Sequence, residues 1–313
     1  MLTAAKTLSG LMGLCIGDAL GVPVEFTSRA ERVKSPVTKM VGYGTWNQPP
    51  GTWSDDSSLT FCLAESLCRG YSLDAIANSF WRWYKEAYWT PRGELFDIGN
   101  TTHAAIMRLK QGILPREAGG KIENTNGNGS LMRILPMAYY HKSLSFAELI
   151  ARVHDVSAIT HAHARSQMAC GIYITIAAAL LEGADPHTAY LQSLDKIHTI
   201  YSVREYLLEK LHFARIYSGE IDKLPVEEIN SGGYVIDTLE ASLWCLLNSS
   251  SYSEAVLKAV NLGGDTDTTA AVTGGLAGIY YGVENIPQAW INQIARKQDI
   301  INLATRFAAA VYR

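Results

Sequence analysis

The stretch GTWSDDSSLTFCLAESLCRGY, residues 51–71, reads as an amphipathic helix that opens on a hydroxyl and two adjacent carboxylates. Ser54 is placed to cap it, and the positive end of the helix dipole favours acidic residues in a first turn. Apolar residues then recur at three-and-four spacing through 56–69. Capping accounts for the helix. It does not account for two like charges side by side with no Lys or Arg after them until Arg69.

The same period runs outward along the chain. It predicts helices over 3–20, 73–88, 100–111, 131–141, 145–158, 163–182, 203–217, 235–248, 252–262, 267–281, 286–293 and 297–312. Alternating Val/Ile/Thr-rich runs are nearly absent, so the expected fold class is all-α. Self-similar blocks of solenoid period are not found. With 313 residues and 48% hydrophobic content the chain can bury a large core. The turn-rich segment from Pro115 to Asn128 reads as a loop inside one domain spanning 1–313.

Composition narrows the function classes. A net charge of −3 argues against binding to a nucleic-acid backbone. The longest apolar run, Met168 to Leu181, covers about a dozen positions, fewer than the ~20 a spanning helix needs, so no membrane partner is expected. The N-terminal segment resembles a secretion signal only superficially. Asp18 interrupts it and Lys6 is its sole basic residue, so it reads as the first core helix. Cysteines 15, 62, 68, 170 and 245 form no CxxC pair and are odd in number, which fits a reduced, cytoplasmic protein without structural zinc. Oligomeric state is not legible.

A second acidic cluster changes the reading of the first. In VNLGGDTDTTAAVTGGLAG, residues 260–278, Asp265, Asp267 and Thr268 stand at the start of a small-residue apolar helix. Gly263 and Gly264 before them permit close approach of the backbone. With Ser54, Asp55 and Asp56 they supply four carboxylates and two hydroxyls, a hard-oxygen set suited to Mg2+ or Mn2+. Four ionised Asp in one pocket call for two cations, and metal pairs ~3.5–4 Å apart orient water and stabilise a transferring oxygen. A third stretch, NGNGSLMRILPMA (126–138), is a Gly-rich turn leading into a predicted helix with Arg133. Its backbone N–H groups suit phosphate, although Asn-Gly pairs also make ordinary turns. In ITHAHAR (159–165), His161 and His163 are two apart and do not share a helix face, which disfavours a common zinc site.

Taken in order, GLCIGDALGVPVEF (13–26), GTWSDDSSLTFCLAESL (51–67), FDIGNTT (96–102), NGNGSLMRILPMA, ITHAHA, SGGYVIDTLEASLW (231–244) and NLGGDTDTTAAVTGGLAGIYYG (261–282) resemble the ADP-ribosylglycohydrolase family from about residue 10 to 283. The resemblance implies a compact multi-helix all-α globule with a metal-binding cleft at helix ends, holding two Mg2+ or Mn2+. The implied metal ligands are Ser54, Asp55, Asp56, Asp265, Asp267 and Thr268, with Ser54 standing where relatives often carry Thr. Glu25 matches a glutamate on a mobile loop near the metals, and Asp97 an acidic residue near the reactive ribose. Asn128, Gly129, Ser130 and Met132 match a phosphate- and ribose-binding loop, His161 a substrate-contacting histidine, and Tyr234 an aromatic near the adenine. Gly263 and Gly264 are taken as substrate-side backbone.

The activity implied is hydrolysis of the glycosidic bond between the distal ribose of ADP-ribose and an acceptor. Asp55, Asp56, Asp97 and Glu25 are the catalytic candidates, and an ADP-ribosylated protein or small conjugate is the partner. Two other classes compete: a non-catalytic, crystallin-like family member, and a metal-dependent nucleotide phosphohydrolase. The loop from Ser28 to Pro50 and an insertion over 195–230 are expected to shape acceptor choice among arginine, serine, a nucleic-acid end and O-acetyl-ADP-ribose.

Overall fold

A computed structural model describes residues 4–204 and 206–312. Residue 3, at the head of the predicted 3–20 helix, residue 205, inside the predicted 203–217 helix, and the outermost residues of the 1–313 span lie outside the described residues. Among the described residues there is no β-strand, only isolated bridges of Gly120 with His161 and Gly127 with Tyr234. The fold is all-α.

Among the described residues the helices of ten residues or more are α1 (Ala4–Gly21), α2 (Asp55–Leu67), α3 (Leu73–Glu86), α4 (Asn100–Lys110), α5 (Phe146–Ala158), α6 (Ala164–Glu182), α7 (Pro186–Tyr201), α8 (Val235–Leu247), α9 (Tyr252–Asn261), α10 (Thr266–Tyr281) and α11 (Lys297–Val311). Local chemistry sets their starts. Ser54, Ser72, Ser145, Asp185 and Ser251 each cap the following helix by accepting a backbone N–H, and Ser145 forms a reciprocal capping box with Glu148.

The centre of the molecule is the crossing of α1 with α10, and glycine makes it possible. Gly13, Gly17 and Gly21 recur every fourth residue, so they share one stripe of α1. A Cβ on Gly13 would sit 2.4 Å from the Gly274 carbonyl oxygen, and one on Gly17 would sit 2.0 Å from that of Ala270. One on Gly21 would sit 2.3 Å from the Cα of Asp267. The two helices therefore touch backbone to backbone, and any side chain in the stripe would push them apart. Helices α8 and α9 pack against α10, while α11 packs against α1 and α2. The buried apolar residues form one continuous cluster from Leu11 to Val311.

Two helical spans, Ala4–Val24 and Ala164–Glu182, are long and apolar enough to cross a membrane by length and composition. They are 94% and 83% buried within the protein, so here they are core helices. Counting only the unbroken apolar run had understated the second one.

Three stretches depart from the helical reading. Residues 131–141 contain a 3-10 helix over Leu135–Tyr140, because Pro136 carries no N–H for an α-helical bond. Bonds such as Met137 N–H to the Ile134 carbonyl, 2.9 Å, take over. The 203–217 stretch is broken into short turns at Leu207–Lys210, Leu211–Phe213 and Ala214–Tyr217, which brings Glu209 and His212 together on Arg165. Helix α7, absent from the helices expected from the spacing, runs into the region read as an insertion only over 195–201, and short turns make up the rest. Its signal was present in the Asp185 cap followed by Pro186 at the first helical position.

Candidate active site

The two acidic clusters meet. Ser-Asp-Asp opens α2, Asp265 precedes α10, and Asp267 and Thr268 lie in its first turn. The Thr268 hydroxyl donates to Asp56 Oδ1 at 3.2 Å. One oxygen each from Asp18, Asp56 and Asp267 lies within 4.8 Å of the others, and the same holds for Glu25, Asp265 and Asp267. The close approach of Gly21 to Asp267 is what seats the start of α10 against the end of α1.

Asp18, which the sequence marks only as an interruption of an apolar segment, organises the cluster. It is fully buried in α1, where its Oδ1 accepts the Ser54 N–H at 2.9 Å and its Oδ2 accepts the Ser57 N–H at 3.0 Å and the Ser57 hydroxyl at 2.5 Å. A carboxylate from one helix thus caps the start of another and fixes the direction of Asp55 and Asp56. The available signal was a lone carboxylate inside an otherwise apolar helix.

Among the described residues no basic side chain forms an ion pair with this cluster. Burial first, and then the neighbouring carboxylates Asp97, Asp265 and Asp18, push Glu25 up to about 9. Burial raises Asp18 to about 7 against its hydrogen bonds, and it raises Asp97 to about 6. Asp55, Asp56 and Asp267 are driven well above the usual carboxylate range, again by burial first and mutual repulsion second. Oδ2 of Asp56, Oδ1 of Asp265 and Oδ2 of Asp267 are buried with no hydrogen-bond partner in the protein. Buried orphan acceptors are costly. An all-oxygen donor set with unpaired acceptors pointed inward fits hard divalent cations.

A cleft of about 390 Å3 opens above the cluster, within the size range of small-molecule sites. Of the sequence-predicted residues, Glu25, Asp55, Asp97, Asn128, Gly129, Met132, His161, Asp265 and Thr268 line it. Asp56 and Asp267 are buried, and the Ser54 hydroxyl accepts the Asp56 N–H at 3.2 Å. Asp97 adopts φ +53, a left-handed conformation unusual outside glycine, close to Asp267 and Glu25.

The opposite wall is neutral and internally tied. Asn128 Nδ2 donates to Thr238 Oγ1 at 2.9 Å and to Asp265 Oδ2 at 2.8 Å, joining the two walls. Arg133, read from sequence as part of an anion-binding turn, is fully buried instead. Its guanidinium donates to the Gly129 carbonyl, to the Val156 carbonyl at 3.3 Å and to Thr160 Oγ1 at 2.7 Å. Thr160 Oγ1 also hydrogen-bonds His161 Nδ1 at 2.8 Å, where either atom can be the donor. The other ring nitrogen, Nε2, lies beside Gly127 and Gly129. Burial, aided by the Arg133 charge, lowers His161 to about 3, so it stays neutral. His163 instead caps α6 and contacts Asn126 Nδ2 at 3.1 Å, so the two histidines part company.

Four remaining candidates stand back from the cleft. Ser130 is fully buried, with its hydroxyl 2.9 Å from that of Ser157. The Tyr234 hydroxyl accepts from Arg165 at 3.0 Å. Gly263 and Gly264, at φ +76 and +74, pack against the backbone of Ser28–Arg29 and of Ser231. They let the Asp265 N–H reach the Ser231 carbonyl at 2.8 Å, which fixes the backbone from which Asp265 projects.

The profile of the ADP-ribosylglycohydrolase family matches residues 2–313. The chain is 35% identical over 302 residues to the ADP-ribosylarginine hydrolase Tri1 of Serratia proteamaculans, covering 96% of this chain and 78% of the relative. It is 29% identical over 299 residues to the ADP-ribosyl-[dinitrogen reductase] glycohydrolase of Rhodospirillum rubrum, covering 94% and 92%. A solved structure described as an ADP-ribosylglycohydrolase-related protein complex superposes with a TM-score of 0.81 at 30% identity, covering 98% of each chain.

Proposed function

The chain belongs to the ADP-ribosylglycohydrolase family and hydrolyses the glycosidic bond that joins ADP-ribose to an acceptor; we propose that the acceptor is an arginine side chain and that two divalent cations, Mg2+ or Mn2+, serve the carboxylate cluster. The observation that carries the metal reading is the set of unpaired buried oxygens on Asp56, Asp265 and Asp267, brought together from distant parts of the chain. The arginine-directed relative and the acidic end of the cleft support the acceptor. The unit proposed is a single domain over 1–313, and its five unpaired cysteines favour a cytoplasmic setting.

In this reading Asp55, Asp56, Asp265 and Asp267, with the hydroxyls of Ser54 and Thr268, hold the cations. When bound, the cations supply positive charge to the ribose hydroxyls and to a water. Asp18 keeps the α2 start in place beneath them. Asp97 takes a proton from the attacking water as its oxygen bonds the anomeric carbon. Glu25 returns a proton to the departing guanidine nitrogen as the carbon–nitrogen bond breaks, with burial favouring its protonated form. The surrounding carboxylates stabilise the positive charge that develops on the ribose ring. On the neutral wall, Asn128, Gly129, Met132 and the imidazole of His161 hold the phosphates and proximal ribose. Tyr234, bridged to Gly127 just beyond the cleft lining, offers its ring to an adenine that extends past it, while Ser130, Gly263 and Gly264 act by shaping the backbone.

The test is release of ADP-ribose from ADP-ribosyl-arginine and ADP-ribosyl-serine peptides, with Mg2+ or Mn2+ and with chelator. Release from the arginine linkage that chelator abolishes is the expected result. Calorimetric binding of ADP-ribose without turnover would make this a non-catalytic member. Phosphate release without free ADP-ribose would point to a phosphohydrolase.

A further inference from the structure

Phe26 is an anomaly at the acidic end of the cleft. The ring is 67% exposed, and the residue holds φ +64, a conformation rare for bulky side chains. The backbone enforces it: the Phe26 N–H donates to the Gly264 carbonyl at 2.7 Å, and the Gly264 N–H donates to the Thr27 carbonyl at 2.8 Å. Trp46 braces the ring from behind, with centroids 6.2 Å apart at 62°, and Phe96 in turn supports Trp46 at 5.7 Å. The same Trp46 donates its indole N–H to the Glu25 carboxylate. Exposed aromatic surface held against its backbone preference points to a ligand.

Position narrows the ligand. Phe26 follows Glu25 in the chain and shares the cleft lining with Glu25, Asp55 and Asp97, while Asn124, Gly127–Gly129 and His161 supply its uncharged part. It also borders a second, shallower hollow walled by Glu227, Asn230, Asp237 and Leu262. A group leaving the carboxylate end toward that hollow passes over the ring. A guanidinium is planar, cationic and weakly hydrated, and it stacks on aromatic faces while its edge N–H groups meet carboxylates. A serine side chain offers neither the plane nor the charge.

We propose that Phe26 is a specificity-determining platform, its ring stacking under the guanidinium of the arginine acceptor while Glu25 and Asp97 face the guanidinium edge; this rests on the arginine reading above. The test is steady-state kinetics of the full chain with Mg2+ on an ADP-ribosyl-arginine peptide, with inhibition by free ADP-ribose measured in parallel. Phe26→Ala and Phe26→Leu, the latter keeping apolar bulk without a π face, should raise KM by about tenfold. They should change kcat by less than about threefold and leave the inhibition constant of ADP-ribose unchanged, because the product has no acceptor. Phe26→Tyr should restore KM. A wild-type chain that works, with Phe26→Leu matching it, would overturn the platform alone. So would a parallel rise in KM and in the ADP-ribose inhibition constant, which would mean that Phe26 only shapes the cleft. A wild-type chain inactive on the arginine linkage would overturn the acceptor reading and the platform with it.

Discussion

On one wall of the cleft Asp56, Asp265 and Asp267 each keep a buried oxygen without a partner; on the other, Asn128, Thr160 and His161 find theirs within the protein. The neutral wall is finished by folding, with a buried guanidinium as its fastener. The acidic wall is finished only when positive charge arrives from outside. The difference teaches where binding free energy is held in reserve. Carboxylates forced together by helix packing are unstable as anions, and a cation that relieves them binds more tightly for it. A wall already satisfied offers shape and directed donors instead.

This contrast can be broken or sharpened by mutation. The largest effect is expected from Asp55→Ala, which should lower the rate of ADP-ribose release by on the order of 10²–10³. It should also weaken Mn2+ binding by calorimetry while far-UV circular dichroism stays unchanged. Next comes the neutral wall. Arg133→Met strands the Gly129, Val156 and Thr160 oxygens and should cost about 3 kcal/mol in urea unfolding, with Mn2+ affinity unchanged. If it weakened metal binding as much as Asp55→Ala, the walls would be one unit and the contrast would fail.

Asp18→Asn probes the support of the acidic wall. The amide retains one acceptor but turns a donor toward the Ser57 N–H, so Mn2+ affinity should fall about 10–100-fold by the same titration. The smallest effect concerns pH. Unfolded carboxylates titrate near 4, whereas Asp97, Asp18 and Glu25 are raised to about 6, 7 and 9 in the metal-free fold. Each therefore costs stability as pH climbs above 4, with the full cost reached above its raised value. Mg2+ removes that cost, so its effect on Tm should be larger at pH 8 than at pH 5.5, by about 2–4 °C per kcal/mol in differential scanning. An equal gain at both pH values would mean that these carboxylates are not what the cation relieves.

Much of this was legible in the chain. Cap residues and three-and-four spacing gave nearly every long helix, and the Ser-Asp-Asp and Asp-Thr-Asp-Thr turns pointed to the acidic residues that the fold brings together, because those signals are local. Asp18 and Arg133 were harder for a physical reason. Each acts on a segment far from it in sequence, Asp18 on residues 54–57 and Arg133 on Val156 and Thr160. Pro136 was a local signal that the helical period overrode. Phe26 could not be told from a core aromatic, since its exposure follows from a backbone angle that composition does not record.

The glycine-lined crossing of α1 and α10 also has a consequence for synthesis. Gly21 and Thr266 stand 245 residues apart in the chain, and the glycine stripe of α1 closes on the backbone of α10. At roughly 5–20 residues per second, α1 leaves the ribosome some ten to fifty seconds before its partner exists. During that interval an apolar helix with bare backbone along one side must be sheltered by something other than its native neighbour. The floor of the acidic cluster is then among the last parts of the nascent chain to close, and a chain that stops short of α10 leaves the glycine stripe of its first helix uncovered.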